Sequence, residues 1–183
     1  IAIAIALSIS SAGASDDGKV VLGFGASPGT SFQEVQLLFR SVDGRHNDFT
    51  AYIQTSPLFG TRRDFDDAFE NGAVKILSLS PGDWTVSGLK IATFPELITP
   101  LDTIALPFAV KSGETVYIGD YRAHAAVWSG NGQNPANGVV FDVSDQSARD
   151  IPIAKKKDKE IGEVTVSIPD TTSGRPYFQS VKN

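Results

Sequence analysis

The sequence predicts a mainly β protein: an antiparallel β-sandwich carrying one short C-terminal helix. Two turn-centred stretches point to it. Leu79-Ser80-Pro81-Gly82-Asp83-Trp84-Thr85-Val86 is one, and Phe108 to Tyr121, turning at Ser112-Gly113, is the other. Each joins segments in which apolar and polar residues alternate, the mark of strands with one buried face. A third observation is negative. The alternating β–α pattern that builds a parallel α/β sheet is missing.

The chain opens on an uncharged run, Ile1 to Leu7, and then Ser8 to Ala14, ending Ala12-Gly13-Ala14. An apolar segment before Ala-x-Ala reads as the end of a secretory signal peptide cleaved after Ala14. The run is too short to span a bilayer as a helix. This places the mature protein, residues 15–183, in the periplasm, the cell envelope or the medium. It forms one domain with a polar C-terminal tail. The Ile/Ala alternation would otherwise suit a buried strand. No cysteine stands at the cleavage point to carry a lipid anchor.

Lys19–Phe24 reads as a short strand and Ser27-Pro28-Gly29-Thr30 as a turn. Phe32–Val42 and Phe49–Gln54 read as a hairpin closed by Asp43-Gly44. Between Arg62 and Gly72, Phe65 and Phe69 are spaced for one helical turn or for a loop pinned to a sheet edge. Val74–Leu79 and Trp84–Ile91 flank Pro81-Gly82, which suits a type II turn. Trp84 and Val86 lie on one phase, Leu89 and Ile91 on the other, so a β-bulge is expected at Gly88. Ile104, Leu106, Phe108 and Val110 share a face. Pro107, which cannot donate to a ladder, puts that strand at an edge. Thr115–Tyr121 follows, then the polar loop 130–138, then a strand through Val139, Phe141 and Val143. Ser144 to Glu160 is the helical region. Ser144 or Asp145 caps its start, or Asp150 caps a segment with Pro152 in the first turn. Lys155, Lys156, Lys157 and Lys159 suit its negative end, and Gly162 stops it. Val164, Val166 and Ile168 form a last strand.

Composition narrows the function. A net charge of −5 argues against a general nucleic-acid binder. With no cysteines there are no disulfides, thiolate metal sites or cysteine nucleophiles.

The stretch 80–86, with Phe108, Val110 and Gly113-Glu114-Thr115-Val116-Tyr117-Ile118-Gly119, resembles core hairpins of exported bacterial transthyretin-like or carboxypeptidase-regulatory-like sandwiches. Phe141 to Asp150 with the Lys-rich helix resembles the C-terminal element of one uncharacterised branch. The resemblance covers roughly residues 74 to 168. It implies the fold and no shared catalytic residues, so none is carried over.

Gly25-Ala26-Ser27-Pro28-Gly29 matches the Gly-x-Ser-x-Gly nucleophile elbow, and Asp102 and His124 follow in the expected order. An elbow needs a helix directly after the serine, whereas Thr30-Ser31 leads into another strand. The motif therefore reads as a turn, and the expectation is that the protein is not an enzyme and has no cofactor. Two histidines without paired spacing make no zinc site, and His46 sits in a turn expected to be exposed. Asp64, Asp66, Asp67 and Glu70 are dense enough in oxygen for calcium but lack EF-hand spacing. The lysines beside Asp158, Glu160 and Glu163 read as a solvated helix face. Tyr117, Tyr121 and Trp128 are the candidates for a platform that stacks a sugar or peptide. The expectation is an exported binding or interaction module for a protein or glycan partner, with no transmembrane segment in the mature chain. An assembly subunit pairing through a sheet edge, and a serine hydrolase using Ser27 or the acidic loop, are the alternatives.

Overall fold

The computed structural model describes residues 17–28, 34–46, 48–54, 63–93, 96–98, 104–128, 136–172 and 177–181. The expected signal peptide, Asp102 and most of the 130–138 loop lie outside them. Strands β1 (Gly18–Ala26), β2 (Glu34–Ser41), β3 (Phe49–Gln54), β4 (Phe65–Asp66) and β5 (Asn71–Leu79) come first. They are followed by β6 (Gly82–Thr93), β7 (Glu96–Ile98), β8 (Leu106–Val110), β9 (Thr115–Trp128) and β10 (Ala136–Ser144). Helix α1 (Ser147–Lys157) and strands β11 (Val164–Val166) and β12 (Phe178–Ser180) complete the chain. One sheet runs β12-β10-β9-β1-β5-β4, with β11 also on β9, and the other runs β3-β2-β6-β7, with β8 also on β6. The fold is mainly β with one short helix, as the sequence predicts. Parallel pairs (β1 with β9, β9 with β11, β10 with β12) mix into the first sheet.

Between the sheets lies a core that neither could bury alone. Val20, Leu22, Phe24, Tyr121, Phe141 and Phe178 come from the first sheet, and Leu37, Phe39, Trp84, Val86, Leu106 and Phe108 from the second. Phe141 and Phe178 stack at 5.1 Å, while Phe39 meets Phe108 edge-on at 6.2 Å. Trp84 is fully buried, and its indole N–H donates to Ser80 O at 2.9 Å. His46 is half-buried rather than exposed, because its ring stacks on Trp84 at 5.9 Å.

The β2–β3 hairpin forms as expected, and the register between β2 and β6 slips at Gly88, where the phase change demanded a bulge. Among the described residues β8 pairs with β6 alone, which makes it an edge strand. The two turn motifs are not hairpins. β5 and β6 belong to different sheets, as do β8 and β9, so Pro81-Gly82 and Ser112-Gly113 are arches that carry the chain across the core. Strand alternation reports which face is buried, and it is the same for a hairpin and an arch.

Helix α1 begins at Ser147, earlier than an Asp150 cap would have it. Asp145 Oδ1 accepts the Ser147 N–H at 2.9 Å, and Asp150 lies in the first turn. Pro152 therefore falls inside the helix, on an exposed position next to solvent. The helix covers half of the first sheet's outer face. Ala154 and Ile161 close over Val21, Val74 and Tyr117 as a small second core. The other half stays polar.

Candidate functional site

A single irregularity in β9 sets that polar face. Val21 pairs with Tyr117 but Gly23 pairs with Asp120, so β9 carries one extra residue at Ile118-Gly119. Gly119 has φ +107, a conformation that suits glycine. Beyond the bulge, Tyr121 and Ala123 turn into the core, and Asp120, Arg122 and His124 occupy the outer face. Tyr117 and Tyr121, which strict alternation would place on one face, lie on opposite faces and are both fully buried. They form no stacking platform. Tyr117 seats the helix, and Tyr121 meets Phe178 edge-on at 6.2 Å. Trp128 ends β9, and its side chain lies outside the described residues.

Carboxylates gather where β1 has no side chains. A Cβ at Gly23 would collide with Asp120 and Asp150, and one at Gly25 with Glu70. Arg149 joins all three. Its Nε donates to Asp150 Oδ1 at 2.7 Å, Nη1 to Glu70 Oε2 at 2.9 Å and Nη2 to Asp120 Oδ1 at 2.9 Å. The guanidinium lies 3.6 Å above the Phe65 ring, which fixes its plane. Tyr117 donates its hydroxyl to Asp150 Oδ2 at 2.8 Å.

One cation cannot balance three buried carboxylates. Burial, then the negative charge of Glu70, push Asp120 up to about 8. Burial also raises Glu70 and Asp150, against the opposing pull of Arg149. Among the described residues Glu70 Oε1 is buried without a hydrogen-bond donor, and a proton on the adjoining Asp120 carboxyl would satisfy the pair.

Above this cluster opens a cleft of about 270 Å³. Asp67, Phe69, Arg122 and Gln146 line it together with Glu70 and Arg149. Phe69, at 73% exposure, is the most exposed large apolar side chain among the described residues. The turn that presents it is tied down, because Asp67 Oδ1 accepts the N–H groups of Phe69 at 2.8 Å and Glu70 at 2.9 Å. Those two bonds hold Asp67 below the usual carboxylate range.

Along the same face, Ser27 Oγ lies 2.7 Å from His124 Nδ1, and His124 Nε2 lies 2.6 Å from Asp142 Oδ2. Arg122 donates to that same carboxylate oxygen at 2.8 Å. The structure thus brings together Ser27 and His124, which the sequence suggested. The acid is Asp142, which it did not. Ser27 follows β1 and still donates its N–H to Ala123 O at 2.9 Å, so serine and histidine are neighbours on adjacent parallel strands.

The acidic loop disperses. Asp64 accepts from the Val74 N–H at 2.7 Å and from Lys157, Asp66 pairs with Arg63, Asp67 caps its own turn, and Glu70 joins Arg149. Lys155, Lys156 and Lys159 are exposed.

No family model matches the chain, and no curated protein matches it. One similar solved structure is a "putative cell adhesion protein" from Bacteroides ovatus, at 14% identity and a TM-score of 0.32. The match covers 68% of this chain and 43% of that one, so the chain spans less than half of that protein's length.

Proposed function

We propose that this chain is a non-enzymatic binding module and that the cleft beside Phe69 is where it engages its partner. The observation that carries this reading is an exposed aromatic, held on a hydrogen-bonded turn, over a polar recess. A rigid aromatic beside convergent polar groups is how small sites recognise ligands. Export and a transthyretin-like kinship belong to the same reading; the apolar segment before Ala14 supports the first, and the two packed sheets support the second. Glycan and peptide arrays probed with the purified protein test it. Phe69→Ala is expected to abolish the signals while leaving the melting temperature unchanged, and signals untouched by Phe69→Ala would refute the site.

A hydrolase is the second reading, favoured by the Ser27–His124–Asp142 chain. Asp142 would hold His124 as the Nε2–H tautomer, leaving Nδ1 to take the serine proton. Against it, the three residues are ordinary neighbours on one sheet face, and Arg122 shares the carboxylate oxygen. No helix follows the serine among the described residues. The expected result is no labelling of Ser27 by a fluorophosphonate probe. Stoichiometric labelling lost in His124→Ala would make the protein an enzyme. Pairing through a sheet edge has weaker support, since Pro107 interrupts the N–H row of the β8 edge.

A further inference from the structure

Size, charge and the state of the lining groups together restrict what the cleft can hold. At about 270 Å³ it falls just below the ~300–1,000 Å³ of sites for drug-sized ligands, which suits one ring rather than an extended chain.

The charges discriminate further. The two arginines of the lining are already engaged, Arg149 by Glu70, Asp120 and Asp150, and Arg122 by Asp142. An anion would meet positive charge that is more than matched by the carboxylates behind it. A cation fares no better. To reach Glu70 or Asp120 it must compete with a guanidinium already seated on both, and separating a half-buried ion pair leaves a charge uncompensated; Asp67 is exposed, where an ion pair gains little.

A hydroxyl group asks for neither exchange. It can accept from a guanidinium N–H and donate to a carboxylate lone pair in the same contact. Among the described residues Arg122 commits one N–H, at Nη2, to Asp142, and Asp67 holds its turn through Oδ1, which leaves donors and an acceptor oxygen for such a partner. Phe69 supplies the complementary apolar surface.

We propose, resting on the binding-module reading above, that the cleft receives one neutral, hydroxyl-rich ring, a single saccharide unit. Phe69 stacks against the C–H face of the ring, and Asp67, Arg122 and Arg149 hydrogen-bond its hydroxyls. The site is preorganised: Arg149 is locked by three carboxylates and the Phe65 ring, and the Phe69 turn is locked by Asp67. Binding therefore orders few side chains and loses little entropy.

Saturation-transfer NMR and calorimetry on the whole chain at neutral pH decide it. The probes are methyl mannoside, methyl galactoside and N-acetylglucosamine, set against lysine amide, arginine amide and inorganic phosphate. The expected result is binding of at least one sugar, with saturation transferred to its ring C–H protons. Phe69→Ala should weaken that binding by about tenfold or more, and Phe69→Trp should keep or strengthen it, as a stacking contact requires. Both substitutions are at an exposed position, so an unchanged melting temperature shows that the fold is intact. Binding of an amine or of phosphate in preference to every sugar overturns the ligand class and leaves the binding module standing. Sugar binding that Phe69→Ala does not weaken overturns the site. Silence of all six probes overturns the saccharide assignment, and the arrays then show separately whether the module reading falls with it.

Discussion

Replacing Asp120 by asparagine isolates what it costs this fold to bury a third carboxyl beside one arginine. The amide matches the protonated acid. Its oxygen can keep the bond from Arg149 Nη2, and its NH2 can donate to Glu70 Oε1, which otherwise meets no donor among the described residues. The sign follows from linkage. Asp120 titrates near 8 in the folded protein, against an ordinary aspartate in the unfolded chain. A raised folded value means that its contribution to stability is fully present below the unfolded pKa, about 4. That contribution is lost as pH rises toward 8, and the loss levels off above it. Each pH unit inside that window is worth about 1.4 kcal/mol, so three units from pH 5 to pH 8 set a ceiling of about 4 kcal/mol. Because Asp120 and Glu70 each raise or resist the other's ionisation, part of that belongs to the pair, and the expected change is roughly 2–4 kcal/mol. Urea unfolding of both proteins from pH 5 to pH 9 measures it. The asparagine variant should gain on the wild type as pH rises, by that amount, and then run parallel above pH 8. A variant destabilised equally at every pH would refute the argument, because Asp120 would then be ionised throughout and needed as a charge by Arg149.

Trp84→Ala should cost about 3–5 kcal/mol in chemical denaturation, since it empties a fully buried site and removes a bond that braces the first arch. A loss below about 1 kcal/mol would mean that the indole is not core. Tyr121→Phe should be neutral or stabilising by up to about 1 kcal/mol, because the buried hydroxyl has no partner among the described residues. A large loss of melting temperature would reveal a bond that the hydroxyl does make.

Much of the fold is legible in the sequence wherever a pattern has one physical cause. Alternation located the strands, Asp43-Gly44 the hairpin, the phase change at Gly88 its bulge, and Pro107 an edge. Where one pattern has two causes it misleads. Pro81-Gly82 serves a hairpin or an arch equally, and strand pairing across the sandwich is decided by contacts far away in sequence. The cleft was partly visible. Glu70 and Asp67 stood out as acidic residues and Phe69 as an aromatic, yet Arg149, which pairs with Glu70, and Arg122, which lines the same cleft, lie on other elements. Gly23 and Gly25 were the missed signal: glycines on alternate positions of a strand leave space that something must fill. Gly119 was the other, since a glycine inside a strand pattern marks a bulge that shifts every later side chain.

That bulge gives the first sheet a parity that hangs on one backbone angle. With Gly119 out of the ladder, every residue after it is counted as though the strand were one shorter, and Asp120, Arg122 and His124 fall on the even, outer side. Were Gly119 drawn into regular pairing, the count would change, and those three charged or polar groups would face Phe24 and Phe141 while Tyr121 and Ala123 faced water. Such an inversion is prohibitive, so the strand has no half-way state to drift through. Side chains along its outer face can be exchanged one at a time without moving the strand's inner face. A change of length near Ile118 has to be absorbed at the bulge itself, or it turns the whole surface inside out.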